Sequence, residues 1–461
     1  MTLLREDGGI LAVLELERLF GHRYYGFPVD EEELERAFSR GYAELLDQAG
    51  MIHHGAKNGG EKILHKICVL PAAATGKALE TVMKKTLRCA SWKFAGHHQS
   101  HAAQAFYDAP FRSALVLSYD GGGDVHQNFE VYLGEKRTSS STPSFLELVM
   151  VHKMNLGTVY QECATYLQEV TGDKVRKEQY NRALSGKMMG YLALGKERPE
   201  WASPLERVYR GIASQETALR DLLGKAPTIP EQRDFAASCQ TVFEQILFEV
   251  FDEHLTLYPS VDGIVVSGGC ALNVLSNRKL QLRYGLPFHV SPAPNDSGLS
   301  LGGAQIFTPP LDTRGSAPPA PSMYLGPLLF DRHAVPAYIE MAGLGYGART
   351  VDVEDLASIL NDGAIIAVVR GRSEFGPRAL GHRSLIAVPH LPEIKQKMNR
   401  LKFREWWRPV APMVTLEDAK RYVQSSISGF CVFVFIFLPW LTDQSLLFFS
   451  LSRDRVFAGC S

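Results

Sequence analysis

Short apolar runs that end in glycine- or proline-rich turns recur along the chain. Ala114–Tyr119 (ALVLSY) leads into Asp120-Gly-Gly-Gly-Asp124, and Gly263–Ser267 (GIVVS) leads into Gly268-Gly269-Cys270. Phe288–Ser291 leads into Pro292-Ala-Pro-Asn-Asp296-Ser-Gly298. Runs of this length read as buried strands, and strands alternating with helical segments predict an α/β fold. The clearest helix runs from Asp234 to about Leu255. There Phe235, Cys239, Val242, Phe243, Ile246, Leu247, Val250 and Phe251 fall on one face of a 3.6-residue period. Such a face packs on a sheet. Ser316-Ala-Pro-Pro-Ala-Pro-Ser322 is a stiff connector and the clearest domain boundary. Beyond it, Asp355–Leu360 starts a helix and Ala364–Val369 (AIIAVV) a strand of a second domain.

Length and composition bound this picture. The 461 residues are 45% hydrophobic and 21% charged, with 49 Lys+Arg against 50 Asp+Glu, a net charge of −1. This is enough chain for two or three domains with cores of their own. The near-neutral balance argues against a protein that coats nucleic acid or anionic membrane. Seven cysteines are scattered without a CxxC pair, which excludes a disulfide scaffold or zinc ribbon and fits reduced core thiols in a cytoplasmic protein. The first residues, MTLLREDGGILAVLELERLF, carry no signal-peptide pattern. Near the other end, Phe430–Leu441 reads FCVFVFIFLPWL inside an uncharged stretch from Gln424 to Thr442. Pro439, Asp443 and Gln444 interrupt the run, favouring a buried strand pair, or sequence unrelated to the rest, over a membrane span.

Three constellations could carry chemistry. His97 and His101 lie four apart in a helical segment, GHHQSHAAQAF, a spacing that can place two imidazoles on one metal ion. A plain pair of surface or core histidines is the simpler reading of that spacing alone. Metal binding also needs ligands from elsewhere, and Asp120 and Asp296 are the candidates, although Asp296 would also serve as a helix N-cap. Next come glycine loops whose amides can approach phosphate oxygens: Asp120–Asp124 with Gly121 and Gly122, Gly268–Gly269, and Gly186-Lys187-Met-Met-Gly190. Strand–loop pairs of this kind suit a two-lobed, actin-like nucleotide fold. GxxxxGK[ST] is absent, and no GxGxxG lies between a strand and a helix, so neither a Walker A loop nor a dinucleotide site is indicated.

The third constellation is a basic block. Between Arg370 and Arg408 stand ten Lys+Arg and three Glu, a local +7 within a chain of −1. Lys395, Lys397 and Arg400 suit a solvated helix face. Arg372, Arg378, Arg383, Arg404 and Arg408, set among Gly, Pro and Trp with Lys402 nearby, suit bidentate grip of phosphate or carboxylate by their guanidinium forks. Arginines beside Trp406 and Trp407 could also stack single-stranded nucleic acid. The compactness of the block favours a small phosphorylated ligand and no nucleic-acid partner.

Together these stretches resemble the O-carbamoyltransferases of nodulation-factor and antibiotic biosynthesis. HHQSHAAQAFY, LSYDGGGD, SGGCALN, PAPNDSGLSLG, GRSEFGPRALGHRS and MNRLKFREWWRPVAP carry the resemblance, which runs from about Ala12 to about Tyr422. It implies an actin-like (ASKHA) N-terminal domain over residues 1–322, a connector at 323–350 and an incomplete YrdC-like α/β domain at 351–422. A divergent apolar tail follows at 423–461. It further implies ATP and carbamoyl phosphate as substrates, Mg2+ with the ATP, and carbamoyl adenylate as intermediate. The carbamoyl group would pass to the hydroxyl of a small-molecule acceptor. By the same resemblance His97, His101, Asp120 and Asp296 would hold a divalent metal, expected to be Fe2+, with His97 and Asp120 catalytic. Arg378, Lys402 and Arg408 would act on the phosphates with Arg372, Arg383 and Arg404. Gly121, Gly122, Lys187, Gly268, Gly269 and Asn273 would line the nucleotide site. A homodimer would fit the class. The alternatives are a tRNA threonylcarbamoyl-type enzyme, which shares the actin-like domain, and an inactive nucleotide-binding remnant.

The chain departs from the family pattern at several points. The strand and phosphate turn that open family members are not matched before Ala12–Arg18. Arg23 stands at a usual lysine and Val125 at a usual glycine. The sequence after Tyr422 diverges, so the second domain is expected to fold poorly and to expose sheet edges.

Overall fold

The computed structural model describes residues 1–22, 25, 28, 30–51, 63–71, 76–122, 129–136, 144–154, 156–172, 183–224, 227–310, 322–328, 337, 341, 351–411 and 447–449. Arg23, Val125, Ser316–Pro321 of the connector and most of the apolar tail lie outside them.

The α/β expectation holds. A mixed five-stranded sheet, ordered β7-β6-β5-β8-β9, forms the centre. Its strands are β5 (Ser113–Tyr119), β6 (Phe129–Glu135), β7 (Phe145–His152), β8 (Gly263–Ser267) and β9 (Phe288–Val290). β5 runs antiparallel to β6 and parallel to β8, and β8 runs parallel to β9. β5 and β8 are buried almost throughout, which is why they read as unbroken apolar runs rather than alternating ones.

Each face of the sheet is covered. Helix α6 (Ile229–Leu257) lies on one side and buries all eight residues of the predicted stripe in one core with Leu115, Leu117, Tyr119 and Val266. It starts five residues before the expected Asp234. Thr228 and Glu231 close a capping box there, and Pro230 is tolerated in the first turn. On the other side α3 (His97–Asp108) sets Ala102, Ala105 and Phe106 against Ala114, Val116 and Val265. Helix α7 (Leu299–Phe307) packs on α3 at backbone contact: a Cβ on Gly302 would stand 1.8 Å from the Ser100 carbonyl oxygen. Only a residue without a side chain allows that approach.

Beyond α7 lie two separate two-stranded sheets. β1 (Thr2–Leu4) and β2 (Ile10–Val13) form an antiparallel hairpin, and β3 (Leu64–Pro71) and β4 (Arg88–Ala95) a parallel pair. Among the described residues, β1 pairs only with β2 and β3 only with β4. The helices α1 (Glu31–Gln48) and α2 (Gly76–Thr86) pack over β2 and β3.

The smaller part holds β10 (Ile366–Val369) between β11 (Arg383–Ile386) and β12 (Leu447–Phe449), all antiparallel. Helix α8 (Val353–Asn361) covers it with Leu356, Ile359 and Leu360. Among the described residues no helix is long and apolar enough to cross a membrane, and Leu447–Phe449 of the tail is a strand. Two further helices matter below: α4 (Leu156–Thr165) and α5 (Leu184–Tyr191). Helix α5 corrects one expectation. Gly186-Lys187-Met-Met-Gly190 is not a phosphate-binding loop but helix, because Leu184, Met188 and Tyr191 share one buried face.

Candidate metal centre and the cleft around it

Strands β5, β8 and β9 point the same way, so their C-terminal ends come out at one rim of the sheet. Asp120 follows β5, Gly268 and Gly269 follow β8, and Asp296 follows β9 by six residues. His97 opens α3, directly after β4. Rims at the carboxyl ends of parallel strands are where α/β folds place ligands.

Four side chains converge there. His97 Nε2 lies 3.0 Å and His101 Nε2 3.2 Å from Asp120 Oδ2, and the two nitrogens are 3.2 Å apart. Asp296 Oδ1 lies 3.8 Å from His97 Nε2 and 3.5 Å from His101 Nε2. The four ligand atoms all fall within 4.8 Å of one another. The backbone contact at Gly302 explains the convergence: Ser100 sits between the two histidines, and α7 begins three residues after Asp296. Asp296 therefore does not act as the helix cap; its carboxylate faces the imidazoles.

Asp120 is held firmly. Its Oδ1 accepts the amides of Gly121 at 2.7 Å and Gly269 at 3.1 Å, which turns Oδ2 toward the histidines. Gly268, at φ +88°, makes the turn that brings the Gly269 amide there. Burial alone would raise the Asp120 pKa, but hydrogen bonds and charge from His101 and His97 outweigh it and hold the carboxyl well below the usual range. Burial likewise opposes a charge on His101, yet Asp120 and Asp296 lift it to about 9. The neighbouring His98 faces away, to Ser118 Oγ at 2.9 Å.

Two nitrogen and two carboxylate donors, three of the four residues largely buried and one carboxylate fixed by two amides, fit a divalent first-row metal such as Fe2+, Mn2+ or Zn2+.

The cluster opens into a cavity of about 2290 Å3, lined also by Gly121, Gly122, Gly269, Asn273, Arg378 and Arg408. The second domain thus reaches the same space. It docks at several points. The Gly376 carbonyl accepts from Arg18 Nη2 at 2.6 Å, and Phe375 is buried with Val13, Ala293 and Leu301. Trp407 enters the main core beside Tyr191, at 5.2 Å between ring centroids. A buried Trp407 cannot stack on a nucleic-acid base.

The basic residues divide into two groups. Arg372 donates to the Leu325 carbonyl, and Arg383 to the carbonyls of Arg370, His382 and Gly371, so these two brace the loop. Inside that loop Glu374 Oε1 accepts the amides of Leu380, His382 and Arg383. Lys402, Arg404, Arg408 and Arg378 instead crowd one another. Burial and then Arg404 and Arg408 lower the Lys402 pKa; burial, Arg408 and Arg378 pull Arg404 down to about 10. Cations that depress one another in this way favour an anion.

Two expected nucleotide ligands are engaged by protein. Lys187 Nζ lies 2.5 Å from Glu405 Oε1 and 3.2 Å from the Val170 carbonyl oxygen. Asn273 caps the following helix at Ser276 and exchanges hydrogen bonds with Gln240. Sequence reasoning missed Gly157 and Thr158 of α4, which line the cavity against Gly121. They sit in the apolar-polar mix of an ordinary helix start, with no local signal.

Comparison with known proteins decides the family. The model described as carbamoyltransferase N-terminus matches residues 37–305, and that described as carbamoyltransferase C-terminus matches residues 357–443. The chain belongs to the carbamoyltransferase family. The second match runs past Tyr422, beyond the resemblance carried by the motifs. Relatives in this family include nodulation protein NolNO of Sinorhizobium fredii, 31% identical over 351 residues, covering 72% of this chain and 48% of that protein. Nodulation protein NolO of Bradyrhizobium diazoefficiens is 31% identical over 348 residues, covering 71% and 60%. Nodulation protein U of Rhizobium fredii is 28% identical over 359 residues, covering 72% and 58%. This family member therefore spans about half to three fifths of the length of these relatives. Among solved structures, the (R)-2-hydroxyglutaryl-CoA dehydratase component A of Acidaminococcus fermentans aligns with a TM-score of 0.37 and 14% identity, covering 67% of this chain and 92% of that one. That likeness adds nothing to the fold described above.

Proposed function

We propose that the protein transfers a carbamoyl group from carbamoyl phosphate, by way of carbamoyl adenylate, to a hydroxyl of a small-molecule acceptor. The observation that carries this reading is that Arg378 and Arg408 line the same cavity as His97, Asp120 and Asp296. An activated carbamoyl group made beside the arginines then has a route to the histidine cluster without leaving the protein.

In the first step water cleaves carbamoyl phosphate to carbamate and inorganic phosphate, and a carbamate oxygen attacks the α-phosphorus of ATP and displaces pyrophosphate; Mg2+ accompanies the ATP. Arg378, Arg404, Arg408 and Lys402 offset the charge on the phosphates, which removes part of their own mutual repulsion. Gly121, Gly122 and Gly269, without side chains, leave room for the nucleotide at the rim. In the second step the acceptor oxygen attacks the carbamoyl carbon, its proton is taken up, and AMP leaves. His97, His101, Asp120 and Asp296 would hold a divalent metal, with Fe2+ proposed, which supplies Lewis-acid stabilisation of negative charge. His97, which lines the cavity with about a fifth of its side chain exposed, would orient the acceptor hydroxyl.

Carbamoyl-phosphate-dependent exchange of labelled pyrophosphate into ATP tests the first step. Exchange without added tRNA supports the proposal. Exchange that requires tRNA would favour a threonylcarbamoyl-type enzyme, and ATP binding without exchange an inactive remnant.

A further inference from the structure

A second histidine pair stands apart from the cluster just described. His152 ends β7, the edge strand of the central sheet, and His254 lies in the last turn of α6. Their Nε2 atoms meet head-on at 3.0 Å, with ring centroids 5.3 Å apart and planes crossed at 82°. Glu253 precedes His254, and a carboxylate oxygen of it lies within 4.8 Å of a ring nitrogen of each histidine. His254 is fully buried, His152 is half-buried and Glu253 is exposed.

We propose that His152, His254 and Glu253 form a second divalent-metal site, of the zinc class, that ties edge strand β7 to the C-terminus of α6. Three features support it. Two nitrogens each about 2.05 Å from a tetrahedral ion stand ~3.3 Å apart, so the observed 3.0 Å needs to open by only a few tenths of an ångström. Two imidazoles and one carboxylate from a half-open position are a borderline donor set that suits Zn2+ or Co2+ rather than Mg2+ or Ca2+. The two rings come from different elements, His152 from the end of β7 and His254 from the last turn of α6, so an ion held by both would link them. Without a cation the contact is one shared proton between two rings, and His254 Nδ1 has no partner among the described residues. That idle nitrogen also sets the strength: lacking the outer hydrogen bond that usually supports a ligating histidine, the site should bind about 10–100-fold more weakly than a fully supported one.

The site is at the same rim as the first cluster but two strands away. The register places Tyr119, the residue before Asp120, opposite Phe129, and Phe129 opposite His152. With strands about 4.8 Å apart, the backbones at Tyr119 and His152 are roughly 10 Å apart, and the two clusters share no ligand.

The test is a Co2+ titration of the full chain after chelator treatment, followed by the visible d–d absorption and by metal analysis. The wild-type chain should take up one more equivalent than His152→Ala, and His101→Ala should leave that equivalent in place. Glu253→Gln, at an exposed position that cannot disturb the core, should weaken the same equivalent about tenfold. Unchanged uptake in His152→Ala, unchanged affinity in Glu253→Gln, or loss of this equivalent in His101→Ala would each overturn the proposal. None of these readouts depends on carbamoyl transfer.

Discussion

Lys187 of α5 reaches across to Glu405, Nζ to Oε1 2.5 Å, and so joins a helix of the first domain to the REWWRP block of the second. Burial would raise the Glu405 pKa, but Lys187 outweighs it and holds the carboxyl down. The pair is three-quarters shielded from solvent on both sides. Lys187→Met and Glu405→Gln should each lower stability by about 1 kcal/mol, with a double-mutant coupling of similar size. Urea unfolding of the four variants measures it, and additive effects would show that the two side chains act independently.

Removing a ligand of the first cluster should separate the two chemical steps. His97→Ala is expected to abolish transfer to the acceptor while leaving carbamoyl-phosphate-dependent pyrophosphate exchange within about threefold of wild type. Equal loss of both steps would contradict the assignment of the two halves of the reaction to the two domains.

The cationic side is expected to behave in the opposite way. Arg408→Ala and Arg378→Ala should cut pyrophosphate exchange by about 100- to 1,000-fold, the usual effect of deleting one charge-stabilising donor. Arg383→Ala should instead act through the loop whose carbonyls it binds, reducing thermal stability. Metal content, measured after dialysis, should stay the same in all three.

Metal uptake should depend on pH with a defined sign. In the metal-free chain the His101 pKa is raised to about 9 from 6.5. Its protonated form therefore stabilises the fold fully below about pH 6.5, and that contribution is lost as the pH rises through 9. A cation needs the neutral ring, so binding releases a proton and apparent affinity should rise about tenfold per unit between ~pH 7 and ~pH 9. Titrations at pH 7, 8 and 9 check this; a flat affinity across that window would count against His101 as a ligand.

The contact between α3 and α7 invites a geometric test. Gly302→Ala places a methyl group 1.8 Å from the Ser100 carbonyl oxygen and must push the helices apart. Overpacking of this kind costs about 1–3 kcal/mol. Because Asp296 precedes α7 and the histidines ride on α3, metal affinity should fall as well. Thermal unfolding with and without metal separates the two effects.

Where structure follows from local pattern, the sequence was sufficient. The stripe from Phe235 to Phe251 predicted a buried helix face, ALVLSY and GIVVS predicted the central strands, and the spacing of His97 and His101 predicted a shared face. What local pattern could not show was which distant segment each side chain would meet. Lys187 between two glycines looks like a phosphate loop until the burial of Met188 and Tyr191 is known, and its partner Glu405 belongs to another domain. Asp296 has the spacing of a cap, yet the close approach at Gly302 turns it toward the histidines. Trp407 beside arginines looks like a stacking surface, yet it completes a core built mainly from residues 115–290.

That last placement bears on how the protein can be studied. With its indole 5% exposed, Trp407 is a plug that the smaller part lends to the larger. A recombinant fragment ending at the proline-rich connector would keep every ligand of both histidine clusters but would have a socket where the indole belongs. Such a fragment should be sticky and prone to self-association, so its failure to transfer a carbamoyl group would say nothing about which half does the chemistry. Dissection by point substitution in the intact chain avoids that trap.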